Sequence, residues 1–172
     1  MLNQLIGRTP VEIGKSVALL ALAVLTTIAL VQVAVERSHG NQTQQGRSEV
    51  IGTAREFAIA LTTYDYAHPE VQWRRLESVA APAVVDRARS AEPDLKQYQA
   101  SSLGQAPEIW LQEFDGRSAQ VLVQTHSLVQ SVYSPPGTKA SGLMTCRVEQ
   151  ERDGWRVTDY RWLTPATETA PS

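Results

Sequence analysis

The sequence is poor in the residues that build metal and redox sites. It contains a single cysteine, Cys146, which excludes an intrachain disulfide and any pair of thiolate ligands. Its three histidines, His39, His68 and His126, show neither a His-x-His nor a His-x₃-His spacing. We therefore expect no metal ion and no other cofactor. Cys146 lies in a predicted strand and is expected to be a small, buried apolar side chain.

The sequence also lacks a surplus of charge of either sign. Lysine and arginine number 16 and aspartate and glutamate 18, which gives a formal net charge of −2 at pH 7. Nucleic-acid binding needs a basic surface that neutralises phosphates, so this balance argues against it. Gly-x-Ser-x-Gly, Walker and dinucleotide-binding motifs are missing as well. The corresponding classes of enzyme therefore have no support in the sequence.

One long apolar run is present, over residues 16–35, and it contains no charged side chain. At about 1.5 Å of rise per residue, a helix of this length spans roughly 30 Å, the thickness of the hydrocarbon core of a bilayer. A secretory signal peptide is the alternative. Its apolar region has only about 7–15 residues and ends at a small-x-small cleavage site, which residues 33–36 do not offer. We therefore expect a single-pass transmembrane helix.

Gln32 is the only strongly polar side chain in this run. An amide without a partner in hydrocarbon costs about 2 kcal/mol or more, so Gln32 is expected to face another helix in the membrane.

The apolar run divides the chain into five segments. The expected segments are a short leader (1–15), the transmembrane helix (16–35), a flexible polar tether (36–48), an α+β domain (49–165) and a disordered tail (166–172). Positive charges on the two sides of the helix are nearly balanced, so the charge count alone does not fix the topology. The short leader favours a cytoplasmic N-terminus and an extracytoplasmic C-terminal domain at the cell membrane.

The first part of the domain has helical periodicity. Apolar residues spaced four and three apart predict a helix over residues 49–64. Pro69 and Pro82 are expected to begin two further helices, because proline suits the first helical position. Phe57, together with Leu61 and Trp73, is expected to cover a sheet.

The second part of the domain has a period of two from Gln105 onwards, which predicts antiparallel strands joined by hairpin turns. Helices followed by such strands define an α+β fold. Trp155 is expected to be buried against Phe57 or Leu61. Trp110 and Trp162 are expected on the opposite face of the sheet, where large aromatic side chains typically bind a partner.

Asp65 is the best candidate for chemistry, because it lies between Tyr64 and Tyr66. A tyrosine can hold or polarise a substrate that a carboxylate deprotonates. Aspartate at the end of a helix is also an ordinary turn residue that accepts backbone N–H bonds, and we favour this interpretation.

The order of these features resembles a known family. An apolar anchor and a polar tether precede a helix that ends in Thr63-Tyr64-Asp65-Tyr66, and the sheet finishes in Asp153-Gly154-Trp155-Arg156-Val157. This arrangement, over about residues 16–163, resembles the bacterial Mce-associated membrane proteins. It is also similar to the TcpC-like assembly factors of conjugation and type IV secretion, and more broadly to domains of the nuclear transport factor 2 type. The resemblance implies a cone of helices packed on a curved antiparallel sheet, in a non-enzymatic accessory subunit.

Two functional hypotheses follow. The first is a membrane-anchored scaffold in an envelope transport or secretion complex, whose partners are the bilayer, other subunits of the complex and further copies of itself. The second is a cone whose cavity, lined by Phe57, Tyr64 and Val148, holds a small apolar ligand such as a lipid, or supports proton transfer by Asp65.

Overall fold

A computed structural model describes residues 44–169, with side chains described as far as residue 164. Four helices come first, interrupted by one short strand: α1 (44–62), α2 (Pro69–Val79), α3 (Pro82–Arg89) and α4 (Glu92–Gln97). The strands are β1 (Tyr64–Asp65), β2 (Ser101–Phe114), β3 (Ser118–Gln130), β4 (Thr138–Glu151) and β5 (Gly154–Thr169). The predicted α+β class, with helices first and an antiparallel sheet after them, is confirmed.

The five strands form one antiparallel sheet in the order β1-β2-β3-β4-β5. The two predicted hairpin turns are present. In the first, Asp115 Oδ1 accepts the backbone N–H groups of Arg117 at 2.8 Å and Ser118 at 2.6 Å. Gly116 follows with φ +91°, a left-handed conformation that favours glycine. Gly154 serves the second turn with φ +122°.

Helix α1 lies across one face of the sheet. Its side chains Val50, Ala54 and Phe57 are fully buried in the core. Gly46 lies against the rings of Phe114 and Trp155 at one end of the helix. At the other end Gly104 of β2 lies so close to Thr62 that any side chain at position 104 would overlap it. The close approach at this point therefore requires glycine.

Helices α2 and α3 are attached to β5 by hydrogen bonds to the backbone. The N–H of Ala81, between the two helices, donates to the carbonyl of Val157 at 2.9 Å. Arg156 donates in turn to the carbonyls of Glu77 and Ala80, at 2.8 and 3.1 Å. The predicted cover residue Trp73 is 6% exposed, and its indole N–H donates to Glu92. The expected cover of helices on the sheet is confirmed.

Several predicted boundaries need correction. Residues 44–48, assigned to the tether, belong to α1, and residues 166–169, assigned to a disordered tail, belong to β5. The first helix ends at residue 62, because Tyr64 and Asp65 pair with Ser102 and Ser101 as strand β1.

Other predictions fall outside the described residues. These are the leader (1–15), the transmembrane helix (16–35) with Gln32, and the first part of the tether. Among residues 44–169, no helix combines the length and the hydropathy needed to cross a bilayer.

The sheet has two different faces. The helix-covered face carries the core side chains Val121, Val123, Met144, Cys146 and Val148, all at most 1% exposed. The other face, which we call the open face, carries alternate residues of β2, β3 and β4, including Leu103, Gln105, Trp110, Leu122, Gln124, His126, Leu128, Lys139, Ser141 and Thr145. Pro107 lies at a bulge in β2 between Gln105 and Glu108, where a missing N–H is tolerated.

Candidate functional site

The open face is built by the register of the three long strands. Along β3, Leu122, Gln124, His126 and Leu128 alternate with the buried Val121, Val123 and Thr125. Each open-face residue has a cross-strand neighbour in β2. Trp110 lies opposite Leu122, and Leu103 lies opposite Leu128. Two pairs of apolar side chains thus lie on this face, and Leu143 of β4 lies beside Gln124 between them.

Trp110 lies on the open face as predicted, with 43% of its surface exposed. Its strand neighbour Ile109 is partly buried against the core. An indole ring held on a strand with this exposure can bury its apolar surface against a partner.

The predicted outward placement of Trp162 is wrong. A bulge in β5 makes Arg147 pair with Asp159 and the next residue of β4, Val148, pair with Val157. The alternation therefore changes phase, and Trp162 lies opposite the buried Met144. Its ring covers Gly142, at which a Cβ atom would come within 2.6 Å of the indole. Trp162 is half-buried and packs against the core, so its predicted partner-binding role loses the observation that motivated it.

The aromatic contacts of the core also differ in detail from the prediction. The ring partner of Trp155 is Phe114, with centroids 5.8 Å apart. The ring partner of Phe57 is Tyr160, at 5.3 Å, which the same bulge brings to the helix-covered face. Trp155 is buried as expected, at 8% exposed.

The predicted cavity inside the cone is not confirmed. Phe57 and Val148 expose no surface to water, so these two side chains pack as core and line no open pocket. Tyr64, the third residue, is partly buried in β1 at the edge of the sheet.

Asp65 has the geometry of a turn residue. Its Oδ1 accepts the backbone N–H of Ala67 at 3.0 Å and the hydroxyl of Ser101 at 3.3 Å. Its Oδ2 lies 3.2 Å from Nδ1 of His68, and the carboxylate is half exposed. The hydrogen bond from Ala67, followed by that from His68, lowers the pKa of Asp65. A general base for carbon acids needs a raised pKa, so this environment is unsuited to the proton-transfer alternative.

The remaining reactive side chains have ordinary surroundings. Burial raises the pKa of the Cys146 thiol to about 12, which keeps it protonated and unreactive at neutral pH. His126 is exposed on the open face, with Nε2 3.1 Å from Nε2 of Gln124. Within residues 44–169, histidine, cysteine, aspartate and glutamate side chains form no cluster of three or more that could hold a metal ion.

Two grooves on the open face differ in chemistry. One, of about 680 Å³, has in its lining the charged residues Glu113, Asp115, Arg147, Asp159 and Arg161. Two of these charges are already paired, since Arg147 binds Glu149 at 2.7 Å and Asp159 binds Arg87 at 2.9 Å.

The other groove, of about 440 Å³, is lined by Leu103, Gln105, His126, Ser127, Leu128, Lys139, Ala140 and Ser141. The sequence did not predict this groove, because the period of two was recognised only from Gln105 onwards and the pairing of the strands was not known. The observed strand β2 begins earlier, at Ser101, and its pairing and that of β4 with β3 place Leu103 and Lys139 on either side of Leu128.

Comparison with known proteins finds similarity in structure alone. No family model matches the sequence, and no curated protein is significantly similar to it. An IcmL-like type IV secretion system protein from Legionella pneumophila is similar in structure, with a TM-score of 0.56 and 15% identity over 73% of this chain and 95% of that one.

Two further solved structures are similar to a comparable extent. The periplasmic domain of DotI matches with a TM-score of 0.56 and 16% identity, over 67% of this chain and 93% of that one. CagV, a VirB8 homologue of the Helicobacter pylori type IV secretion system, matches with a TM-score of 0.54 and 9% identity, over 68% and 98% of the two chains. At these identities the likeness establishes the fold. The domain shares the α+β fold of these three structures, with helices packed on one face of an antiparallel sheet.

Proposed function

We propose that this chain is a non-enzymatic accessory subunit of a bacterial type IV secretion or conjugation complex, anchored in the cell membrane with its domain on the extracytoplasmic side. The observation that carries the proposal is the fold. The similar region covers at least 93% of the IcmL-like, DotI and CagV chains, so the likeness extends over a whole domain rather than a common hairpin.

Between the two kinds of envelope complex suggested by the sequence, we favour secretion or conjugation over Mce-type lipid transport. Two of the three similar structures described above, the IcmL-like protein and CagV, are named as type IV secretion components, and none of the three is named as an Mce-associated protein. The two predicted cavity residues Phe57 and Val148 are fully buried in the core, so they give no support to a lipid-binding cavity.

The proposed mode of action is protein–protein contact through the open face. Trp110 presents an exposed indole there, and such side chains are frequent anchors of binding energy at interfaces. The exposed apolar residues Leu103 and Leu128 extend the surface along the same strands. This surface would bind other subunits of the complex and further copies of the chain.

The proposed anchor is the apolar run 16–35, and Gln32 would contribute a contact with another helix in the membrane. We expect Gln32→Leu to leave the chain in the membrane but to weaken its association with the complex by several-fold, because interhelical hydrogen bonds of this kind contribute about 1 kcal/mol. Blue-native electrophoresis of membrane extracts would measure the association, with Thr26→Leu as a control in the same run. Equal assembly of Gln32→Leu and wild type would mean that the anchor is passive.

Purification from membranes in mild detergent, followed by mass spectrometry, tests the proposal as a whole. We expect the chain to recover other subunits of one membrane complex in fixed proportion. Recovery of the chain alone, or with subunits of an Mce-type transporter, would contradict the assignment to secretion.

A further inference from the structure

The smaller groove on the open face combines exposed aliphatic side chains with the positive charge of a lysine. Leu103 and Leu128 lie opposite each other on β2 and β3, and they are 60% and 48% exposed. The next strand places Lys139 opposite Leu128, so an ammonium group lies beside the aliphatic pair. Gln105 and His126 form the neighbouring cross-strand pair and supply hydrogen-bonding groups.

Among the residues whose side chains are described, none neutralises the positive charge of Lys139 in this groove. Its lining contains no aspartate or glutamate. Among the residues whose side chains are described, no carboxylate lies within 4 Å of the Lys139 ammonium group, although six other ion pairs are present. Asp65, which lines the adjoining groove, is already held by Ala67, Ser101 and His68. Charge complementarity therefore favours an anionic group as the occupant.

The shape of the groove argues for a protein as the source of that group. Small ligands are typically bound in clefts that bury most of their surface. Here about half of each leucine remains exposed on a sheet face, so an occupant would be covered from one side alone. A side chain presented by another protein is covered from its other side by that protein, and this arrangement suits an open groove.

We propose that the groove formed by Leu103, Leu128 and Lys139 binds a segment of a partner protein that carries an aliphatic side chain next to a carboxylate. The aliphatic group would cover Leu103 and Leu128, and the carboxylate would pair with Lys139. This inference rests on the proposed role as a protein-binding subunit and names the chemistry of the segment that the open face recognises. Trp110, further along the same face, would extend the contact.

Peptide selection tests the inference directly. The full chain is held in lipid nanodiscs, and a random 12-residue peptide library displayed on phage is selected against it after depletion on empty nanodiscs. We expect the enriched peptides to combine an aliphatic residue with an adjacent aspartate or glutamate. Lys139→Glu should weaken their binding at least tenfold, and replacing the peptide carboxylate by lysine should restore binding to that variant.

Matched variants separate the groove from general surface effects. Leu128→Ser should weaken binding about tenfold, whereas Val71→Ser, which changes an aliphatic residue on α2 that is 41% exposed, should not. Lys96→Glu makes the same change in net charge outside the groove, on α4, where Lys96 is paired with Glu92 at 2.6 Å. It should leave peptide binding unchanged. A library without enrichment, or peptides that bind Lys139→Glu as well as the wild type, would overturn the inference.

The same variants distinguish two alternative occupants of the groove, a second copy of the chain and a lipid headgroup. If the full chain self-associates in detergent and Lys139→Glu alone abolishes the larger species, the groove contacts a second copy and the inference is wrong. If instead the chain binds phosphatidylglycerol liposomes through Lys139, the groove recognises lipid headgroups and the inference is equally wrong.

Different experimental results would reject this inference and the proposed function. Co-purification of the secretion complex by both the wild type and Lys139→Glu would leave the function standing and reject the groove. Loss of the complex by the wild type itself would reject the function.

Discussion

The two faces of the sheet share the same strands but differ in almost every physical property. On the helix-covered face, Val121, Val123 and Met144 are fully buried under α1 and contribute to one continuous core. On the open face, their immediate chain neighbours Leu122 and Gln124 keep part of their surface exposed, and polar residues lie between the apolar ones. Alternation along a strand thus assigns successive residues to folding and to recognition.

The comparison teaches where substitutions should affect stability and where they should affect binding. A buried side chain makes contacts on all sides, so its removal leaves a cavity and destabilises the fold. An exposed side chain on a sheet contributes little to the folded monomer, and its apolar surface becomes useful when a partner covers it. Substituting a residue and measuring both stability and binding therefore tests the face on which the structure places it.

The largest effect is expected at Trp155. Its indole is buried against the ring of Phe114 and lies near Gly46, so Trp155→Ala removes a large core side chain close to the N-terminal end of α1. We expect a loss of about 3–5 kcal/mol in the free energy of unfolding. Urea denaturation of residues 45–172, followed by circular dichroism, measures this loss. A change below 1 kcal/mol would mean that the ring is not part of the core.

Trp162→Ala should have a smaller effect of the same kind. The ring is half-buried over Gly142 and lies opposite Met144, so its truncation should cost about 2 kcal/mol of stability. The same denaturation experiment applies, with Leu163→Ala as a control, since Leu163 is 45% exposed and adjacent in sequence. If Trp162→Ala leaves stability unchanged and removes partner binding, the original outward placement was correct.

Trp162 shows what sequence alternation could and could not predict. Counting every second residue from Trp155 and Val157 puts Trp162 on the opposite face, and the count fails at the bulge near Asp159. One signal was present, because Tyr160 and Trp162 are large aromatics out of phase with Trp155. A change of phase between apolar residues in one strand indicates a bulge, but alternation alone does not locate it.

The rest of the fold followed from the sequence where local chemistry decides the structure. Pro69 and Pro82 begin helices, and Asp115-Gly116 turns a hairpin, because each of these residues favours one local conformation. The groove at Lys139 could not be predicted in this way. It depends on the register of three strands, and register arises from long-range pairing rather than from local pattern.

Trp110→Ala should separate binding from stability. The side chain is 43% exposed on the open face, so we expect the free energy of unfolding to change by less than about 0.5 kcal/mol. Recovery of the complex should fall about thirtyfold, the equivalent of roughly 2 kcal/mol for an anchoring tryptophan. Pull-down at several detergent-extract concentrations gives the apparent affinity, and Val71→Ala is the exposed control. An unstable Trp110→Ala protein would assign this residue to the core.

The smallest effect is expected from Asp65→Asn. This substitution distinguishes a turn role of Asp65 from a catalytic role. Asparagine can accept the N–H of Ala67 as aspartate does, so stability and complex recovery at pH 7 should be nearly unchanged. A catalytic carboxylate would behave differently, because asparagine cannot take up a proton. Loss of function in a folded, complex-bound Asp65→Asn protein would reject the non-enzymatic proposal.

The pH dependence of unfolding provides a second test of Asp65→Asn. The pKa of Asp65 is lowered in the folded state from its ordinary value of 3.8, chiefly by the hydrogen bond from Ala67. The ionised carboxylate therefore stabilises the fold above pH 3.8, and this contribution is lost as the pH falls through the folded-state pKa. Asp65→Asn has no such group, so its unfolding free energy should decrease less steeply below pH 4 than that of the wild type. Parallel slopes for the two proteins in urea denaturation between pH 5 and pH 2.5 would show that the hydrogen bond from Ala67 does not favour the ionised carboxylate.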